Sequence, residues 1–247
     1  MKEDVEPIPG IYNYCDSWCE RCPLTKRCQN FALQYPNGLN QPTLNADTLV
    51  NRLMETLELT KSYIHKAQQQ RLLPEAKRLR QETQAAGLTN HETAHHPLAT
   101  LCDTYLSQTA AWLKHEKDLL EQAGHQQVFE TNLGLRTEDE ALALLNRLKD
   151  AWETIKWYRT LIPVKVVSAL QITNGNPDAM LQAYFNGKAK LVLVSVDQSL
   201  LAWHTLLETY PEKTDDVLDM LVLLDRIRRH MEMAFPEARN FRRPGLD

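Results

Sequence analysis

Apolar residues recur along most of this chain at spacings of three and four, the period of a helix with one buried face. From Asn45 to Gln70 the stripe is Leu49, Leu53, Met54, Leu57 and Ile64, which predicts an amphipathic helix. A shorter basic segment follows, opened by Pro74 and stopped by Gly87. Pro97 starts a long stretch in which Leu98, Leu101, Cys102, Tyr105, Trp112, Leu113 and Leu120 share a face, and Gly124 is expected to end it. Thr137-Glu138-Asp139-Glu140 has the form of a capping box, with its acids on the positive end of the helix dipole. The stripe behind it runs Ala141, Leu144, Leu145, Leu148, Trp152, Ile155 and Ile162, and Pro163 is expected to kink or end that helix. Asn174-Gly175-Asn176-Pro177 reads as a turn with a new helix starting at Pro177. Gly187 to Thr209 and Thr214 to Phe235 read as two more helices, broken around Pro211. The apolar run Leu191 to Val196 fits a buried strand or a buried helix. Its flanks continue the helical stripe through Leu200, Trp203 and Leu207, which assigns it to helix.

These elements predict an all-α protein, an antiparallel bundle of about five or six helices. A cysteine-rich metal-binding segment over 1–42 is expected to precede the bundle over 43–235, and a basic tail over 236–247 to follow it. Composition agrees. Leucine far outnumbers valine and isoleucine, and only 8 glycines occur in 247 residues, which favours helices over strands and their tight turns. With 43% hydrophobic and 24% charged residues the chain has the means to bury a core, so wholesale disorder is excluded. A formal net charge of -4 argues against a protein that coats nucleic acid or anionic membrane. The opening MKEDVEPIPG is acidic and interrupted by Pro7 and Pro9, unlike a secretory signal, and no apolar run approaches the ~20 residues needed to span a bilayer. A cytoplasmic protein without a membrane partner is expected.

The strongest chemical signal is Cys15-x3-Cys19-x2-Cys22-x5-Cys28 in YCDSWCERCPLTKRC. On a helical turn these spacings place Cys15, Cys19 and Cys22 on one face. Pro23 then favours a break that lets the chain return with Cys28 as a fourth thiolate. In a reducing compartment such a cluster points to metal rather than to disulfides. Four soft thiolates complete either a [4Fe–4S] cluster or a zinc site. Paired C-x2-C knuckles are the common zinc pattern and only one such pair occurs here, while the bland alternative is four small hydrophobes or accidental crosslinks. An iron–sulfur site implies a redox or electron-transfer role. A zinc site implies a staple on a helical interaction module without catalysis.

The last three cysteines, C-x2-C-x5-C with a proline after the middle one, resemble cluster-ligand segments of the SPASM family and of Cas4-type nucleases. The resemblance spans only that short stretch and implies cluster ligation, not nuclease or radical chemistry. More broadly, GIYNYCDSWCERC and FPEARNFRRPGLD are similar to the two ends of a group of bacterial helical proteins that pair such an N-terminus with such a tail. That resemblance implies a bacterial cytosolic origin and no particular activity.

His91-Glu92-Thr93-Ala94-His95 matches H-E-x-x-H, which on a helix offers two imidazoles to Zn²⁺ and makes Glu92 the catalytic candidate, with Glu116 as a third metal ligand. The flanks argue for a polar connector instead: Gly87-Leu88-Thr89-Asn90 is a loop signature, and Pro97 disfavours helical geometry at His96. In that case the histidines face solvent or cap the Pro97 helix. Glu92 to His95 is also the sole Glu-x-x-His, so the usual ferritin-like di-metal pattern is missing from the sequence. No P-loop, dinucleotide fingerprint or G-x-S-x-G elbow occurs.

His204 and Glu153 lie on or beside apolar stripes and read as hydrogen-bonded packing residues before ligands or bases. Trp112, Trp152, Trp157, Trp203 and Tyr158 read as core or groove aromatics, and Cys102 as a buried small hydrophobe. Two basic groups stand out, Arg226, Arg228, Arg229, Arg239, Arg242 and Arg243 near the C-terminus, and Lys61, Lys66, Arg71, Lys77, Arg78 and Arg80. A solvated helix face explains each, and together they would suit a phosphate-bearing ligand or an acidic protein partner. The Arg-Arg-Pro-Gly ending is not helical in pattern and is placed across the bundle.

Overall fold

A computed structural model describes residues 6–35, 38, 61, 96–171 and 179–247. The expected helices over 45–70 and 74–87, the turn at 174–177, and His91, Glu92 and His95 lie outside these residues. The described residues contain six α-helices and no strand: α1 Gln29–Gln34, α2 Pro97–His115, α3 Leu119–Asn132, α4 Glu138–Leu170, α5 Ala179–Thr209 and α6 Thr214–Ala234. Helix α4 packs on α2, α3 and α5, and α6 closes the ring by packing on both α5 and α2. The fold is an all-α bundle of four long helices with α3 laid along α4. No helix among the described residues is long and apolar enough to cross a membrane.

The helix starts follow from local chemistry. Pro97 occupies the first turn of α2, where its missing N–H costs nothing. The preceding His96 is extended (φ -66°, ψ 134°) and its Nδ1 accepts the Leu98 N–H at 3.1 Å. His96, which is not one of the two histidines of the H-E-x-x-H match, therefore caps the Pro97 helix. At α4 the box is complete: the Thr137 hydroxyl accepts the Glu140 N–H at 3.3 Å, and the Glu140 carboxylate accepts the Thr137 N–H at 3.0 Å. The Thr137 N–H and the Thr137 hydroxyl, which also donates to Glu140 Oε2 at 3.0 Å, hold the Glu140 carboxyl below its ordinary value, so the support they give is present above that value and fades as pH falls through the lowered one. Thr137→Ala is expected to lower stability by about 1 kcal/mol, read from a shifted urea midpoint at constant slope.

Two expected helix ends move. Pro163 does not end α4, which continues to Leu170. An interior proline costs ~3 kcal/mol, but Ile162, Val166, Ala169 and Leu170 on the same stretch are buried, at ~1.5–3 kcal/mol for each larger side chain. Gly124 does not end the helix opened by Pro97. That helix stops at His115, the chain turns through 116–118, and α3 runs past Gly124 to Asn132. Glycine inside a helix costs only about 1 kcal/mol against alanine. Burial of Leu119 and Ala123 on the same turn pair outweighs it. The stop after His115 is fixed by Glu116, whose carboxylate meets Lys213 Nζ at 2.7 Å at the α5–α6 corner. Gly187 likewise lies within α5 rather than at its start, and Leu191 to Val196 is helix as expected.

The bundle centre is built on aromatics. Trp203 and Tyr105 are fully buried, with Trp203 Nε1 donating to the Tyr105 hydroxyl at 3.2 Å and Trp112 packed edge-on to Trp203 at 4.9 Å. Cys102 is fully buried beside them in the core, and desolvation pushes its thiol up to about 12. It is the small hydrophobe its stripe predicted.

Candidate metal centre

The N-terminal segment is a loop closed on itself. Ile8 N–H donates to the Arg27 carbonyl at 3.0 Å and Arg27 Nε to the Glu6 carbonyl at 3.0 Å, so the stretch between them returns to its origin with Cys15, Cys19 and Cys22 inside it and Cys28 directly after its closing residue. The expected helical face for Cys15, Cys19 and Cys22 is not formed. Only Cys19–Arg21 makes a single 3-10 turn, because Ser17 sits in the left-handed region (φ 59°) and breaks any helix between Cys15 and Cys19. The break after Cys22 does occur, with Cys22 extended ahead of Pro23, and a second 3-10 turn at Thr25–Arg27 brings the chain back to Cys28.

All four cysteines are half-buried free thiols. Burial pushes the Cys19 thiol up, and repulsion from Cys15, Cys22 and Cys28 pushes it further, so the four share one electrostatic neighbourhood. Phe31 N–H donates to Cys28 Sγ at 3.4 Å, and Cys15 Sγ contacts the Tyr12 carbonyl at 3.7 Å. Among the described residues no three His, Cys, Asp or Glu side chains converge tightly enough to hold a single metal ion.

What fixes this loop to the bundle lies between the cysteines. Asp16 is the keystone: its carboxylate accepts the Trp18 N–H at 3.1 Å and the Tyr158 hydroxyl at 2.7 Å, while its carbonyl accepts Trp157 Nε1 at 3.1 Å. Burial, then the hydrogen bond to Asp16, drives the Tyr158 hydroxyl well above the usual tyrosine value, so it stays a donor. Trp18 stacks on Trp157 with ring centroids 5.0 Å apart, and Arg21 lies over the Trp18 ring at 4.2 Å while pairing with Asp150 and Glu153 on α4. Stacked aromatics of this kind contribute ~0.5–1.5 kcal/mol beyond their burial. Glu153, singled out beside an apolar stripe as a place for a ligand or general base, anchors the cysteine loop through Arg21.

The C-terminal tail meets the same face. Tyr14 packs on Phe241 at 5.0 Å, and both press against Gly187 of α5. A Cβ at position 187 would lie 2.6 Å from Tyr14 Cδ1 and 2.9 Å from Phe241 Cε1, so only glycine lets the two rings seat there. Gly187→Ala is expected to cost about 1–3 kcal/mol by overpacking and to expose the loop to limited proteolysis at a rate well above that of the unaltered chain. Arg239 joins the tail to Asp197 and Glu232, and Lys190 Nζ donates to the Arg239 carbonyl at 2.8 Å. The tail does lie across the bundle.

Arg243 clamps Asp247, with Nη2 2.7 Å from Oδ1, and holds that carboxyl below its ordinary value. A depressed carboxylate supports the folded state above its unfolded value and loses that support as pH falls through the folded one. The folded form of the tail is therefore expected to weaken on acidification below about pH 4, and Arg243→Ala is expected to flatten that dependence, as followed by the pH profile of thermal stability.

A cavity of about 220 Å³ opens at the junction, walled by Cys15, Cys22, Trp18, Tyr158 and Arg243. The remaining sequence-predicted residues lie elsewhere. Glu116 is taken up by Lys213, so its carboxylate is committed to a structural ion pair. His204 is not a packing residue: its side chain is 61% exposed, with Glu208 one turn on at 3.5 Å. The basic C-terminal group is largely neutralised from within, Arg228 and Arg229 by Asp225, Arg239 by Asp197 and Glu232, Arg243 by Asp247. All of the second basic group except position 61 lies outside the described residues.

Sequence reasoning did not single out Asp16, Trp18 or Arg21, and it named Arg243 only as one of a basic group. The available signal was the density of CDSWCERC, where an acid, an indole and a guanidinium alternate with the cysteines, too rich for a simple ligand-bearing linker. Comparison with protein-family models, with curated proteins and with solved structures finds no match.

Proposed function

We propose that this protein is a bacterial cytoplasmic metalloprotein in which Cys15, Cys19, Cys22 and Cys28 hold a [4Fe–4S] cluster with a redox or electron-transfer role. The observation that carries this reading is the self-closed loop that gathers four free thiols within electrostatic reach of Cys19. Thiolates that repel one another are neutralised by a bound cation, and four of them match the ligand count of a cubane cluster. A tetrahedral zinc site draws its sulfurs to about 3.8 Å from each other, given Zn–S bonds of about 2.3 Å. A [4Fe–4S] core holds its four cysteine sulfurs further apart than that, because each ligates a different iron. The Phe31 N–H on Cys28 Sγ is the kind of hydrogen bond that sets cluster potential.

A zinc staple for a helical interaction module is the second reading. It is favoured by the thin packing of the N-terminal segment, in which Ile11 is the one fully buried hydrophobic side chain among residues 6–35. Anaerobic reconstitution with iron and sulfide separates the two. A cluster gives a brown protein whose colour bleaches in air, whereas the staple stays colourless and loses stability to a chelator.

A further inference from the structure

A second cavity, of about 580 Å³, lies between the α3–α4 pair and the α5–α6 corner, and it shares no lining residue with the cavity beside the cysteines. Its wall includes two polar groups left without partners. Gln127 is 5% exposed and donates Nε2 to Glu130 at 3.4 Å, which leaves its buried Oε1 with no donor. The Tyr210 hydroxyl is likewise buried and unpaired. Desolvation and the nearby Glu212 charge raise its proton affinity, so it remains a neutral hydroxyl able to donate or accept. A buried polar atom without a partner costs about 1–3 kcal/mol, and two on one cavity describe a surface shaped for a guest that supplies the missing bonds.

Opposite charges line the same cavity. Arg147 on α4 pairs with no carboxylate among the described residues. Glu212 pairs with no cation among them, and Glu208 beside it has only the exposed His204. Arg136 and Lys213 also line it but are taken up by Glu130 and Glu116, so the charges left over are Arg147 with Glu208 and Glu212, and these suit a guest that carries both signs. A volume in the range of small-molecule sites leaves room for an amino acid with its waters or for a dipeptide.

We propose that this cavity binds a small zwitterion of the α-amino-acid class, with Arg147 on the carboxylate, Glu208 and Glu212 on the ammonium, and Gln127 and Tyr210 on a polar side chain. A polar side chain that both donates and accepts, such as a carboxamide or hydroxyl, satisfies the Gln127 acceptor and the Tyr210 hydroxyl together. The guanidinium provides a bidentate seat for the carboxylate.

The test is thermal stability and calorimetry of the full chain with each of the twenty L-amino acids, and with the matching amino alcohols that lack the carboxylate. Glutamine, asparagine or serine at on the order of 10 mM is expected to raise Tm by about 2 °C or more, and the amino alcohols are expected not to. Arg147→Ala is expected to abolish the shift, and Tyr210→Phe to weaken affinity about tenfold. Arg147 is exposed and the Tyr210 hydroxyl has no partner, so neither change threatens the fold, which circular dichroism verifies. No shift with any amino acid, or affinity unchanged in either variant, would overturn the proposal and leave the two orphan atoms to bound water. Metal content does not enter the readout, so this result stands apart from the fate of the cysteine site.

Discussion

If the four cysteines hold the proposed cluster, replacing Cys19 with serine is expected to strip the protein of metal while leaving the helical core folded. Cys19 is the thiol that feels the other three, so its loss removes the common member of the set. A hydroxyl is a hard, weakly acidic donor and a poor substitute for thiolate on iron or zinc. Metal per chain is expected to drop at least about tenfold, measured on protein purified from the same medium as the unaltered chain. The core does not depend on the loop: Trp203, Tyr105, Ile155, Ile162 and Leu224 are all buried within helices α2, α4, α5 and α6. Helical circular dichroism should accordingly survive with little change. Cys102→Ala is the matched control. It removes a sulfur from the core at a cost of about 1 kcal/mol and should leave metal content untouched.

Asp16→Ala carries the second large effect, and it acts on two levels. The substitution leaves the buried Tyr158 hydroxyl and the Trp18 N–H without their acceptor, a loss of about 2–3 kcal/mol in docking the loop. Because Asp16 stands directly after Cys15, the same change releases the cysteine from its fixed position. Outer residues that orient metal ligands typically account for about 10–100-fold in metal affinity. A double comparison with Tyr158→Phe separates the levels. That variant removes the donor rather than stranding it and should cost about 1 kcal/mol of stability with a smaller effect on metal. Equal metal affinity in Asp16→Ala and the unaltered protein, measured by chelator competition, would contradict the role given to this aspartate.

The bundle was legible because its helices carry their own punctuation. The Thr137 box, the Pro97 start and the stripe from Leu200 through Leu207 all depend on residues within one or two turns, so sequence spacing suffices to find them. The two misplaced boundaries share a different origin. Gly124 and Pro163 are poor helix residues, and each is carried by burial of its neighbours against another helix. Local propensity cannot register that contribution. The stop at His115 is set by a lysine almost a hundred residues further on, Lys213, and leaves no local mark.

The cysteine segment divides along the same line. The four sulfurs stood out by type and spacing, but their geometry did not, because the left-handed Ser17 replaces the expected helical face with a turn. What holds the loop in place was hidden for a further reason. Asp16 to Tyr158, Arg21 to Glu153 and Tyr14 to Phe241 join residues from opposite ends of the chain, and nothing in the local pattern announces a partner. Through Tyr14 and Phe241, segments near the two ends of the chain meet on one face of the bundle, against Gly187.

The most direct test of the central claim is iron, zinc and acid-labile sulfide per chain, with a visible spectrum, on protein purified without oxygen. The account predicts about four irons and about four sulfides, with broad absorbance near ~400 nm that is lost in the Cys19→Ser variant. A colourless protein with about one zinc would contradict the cluster and leave a structural staple in its place. A protein with neither metal, whose four thiols all react freely with an alkylating reagent, would contradict the metal centre altogether.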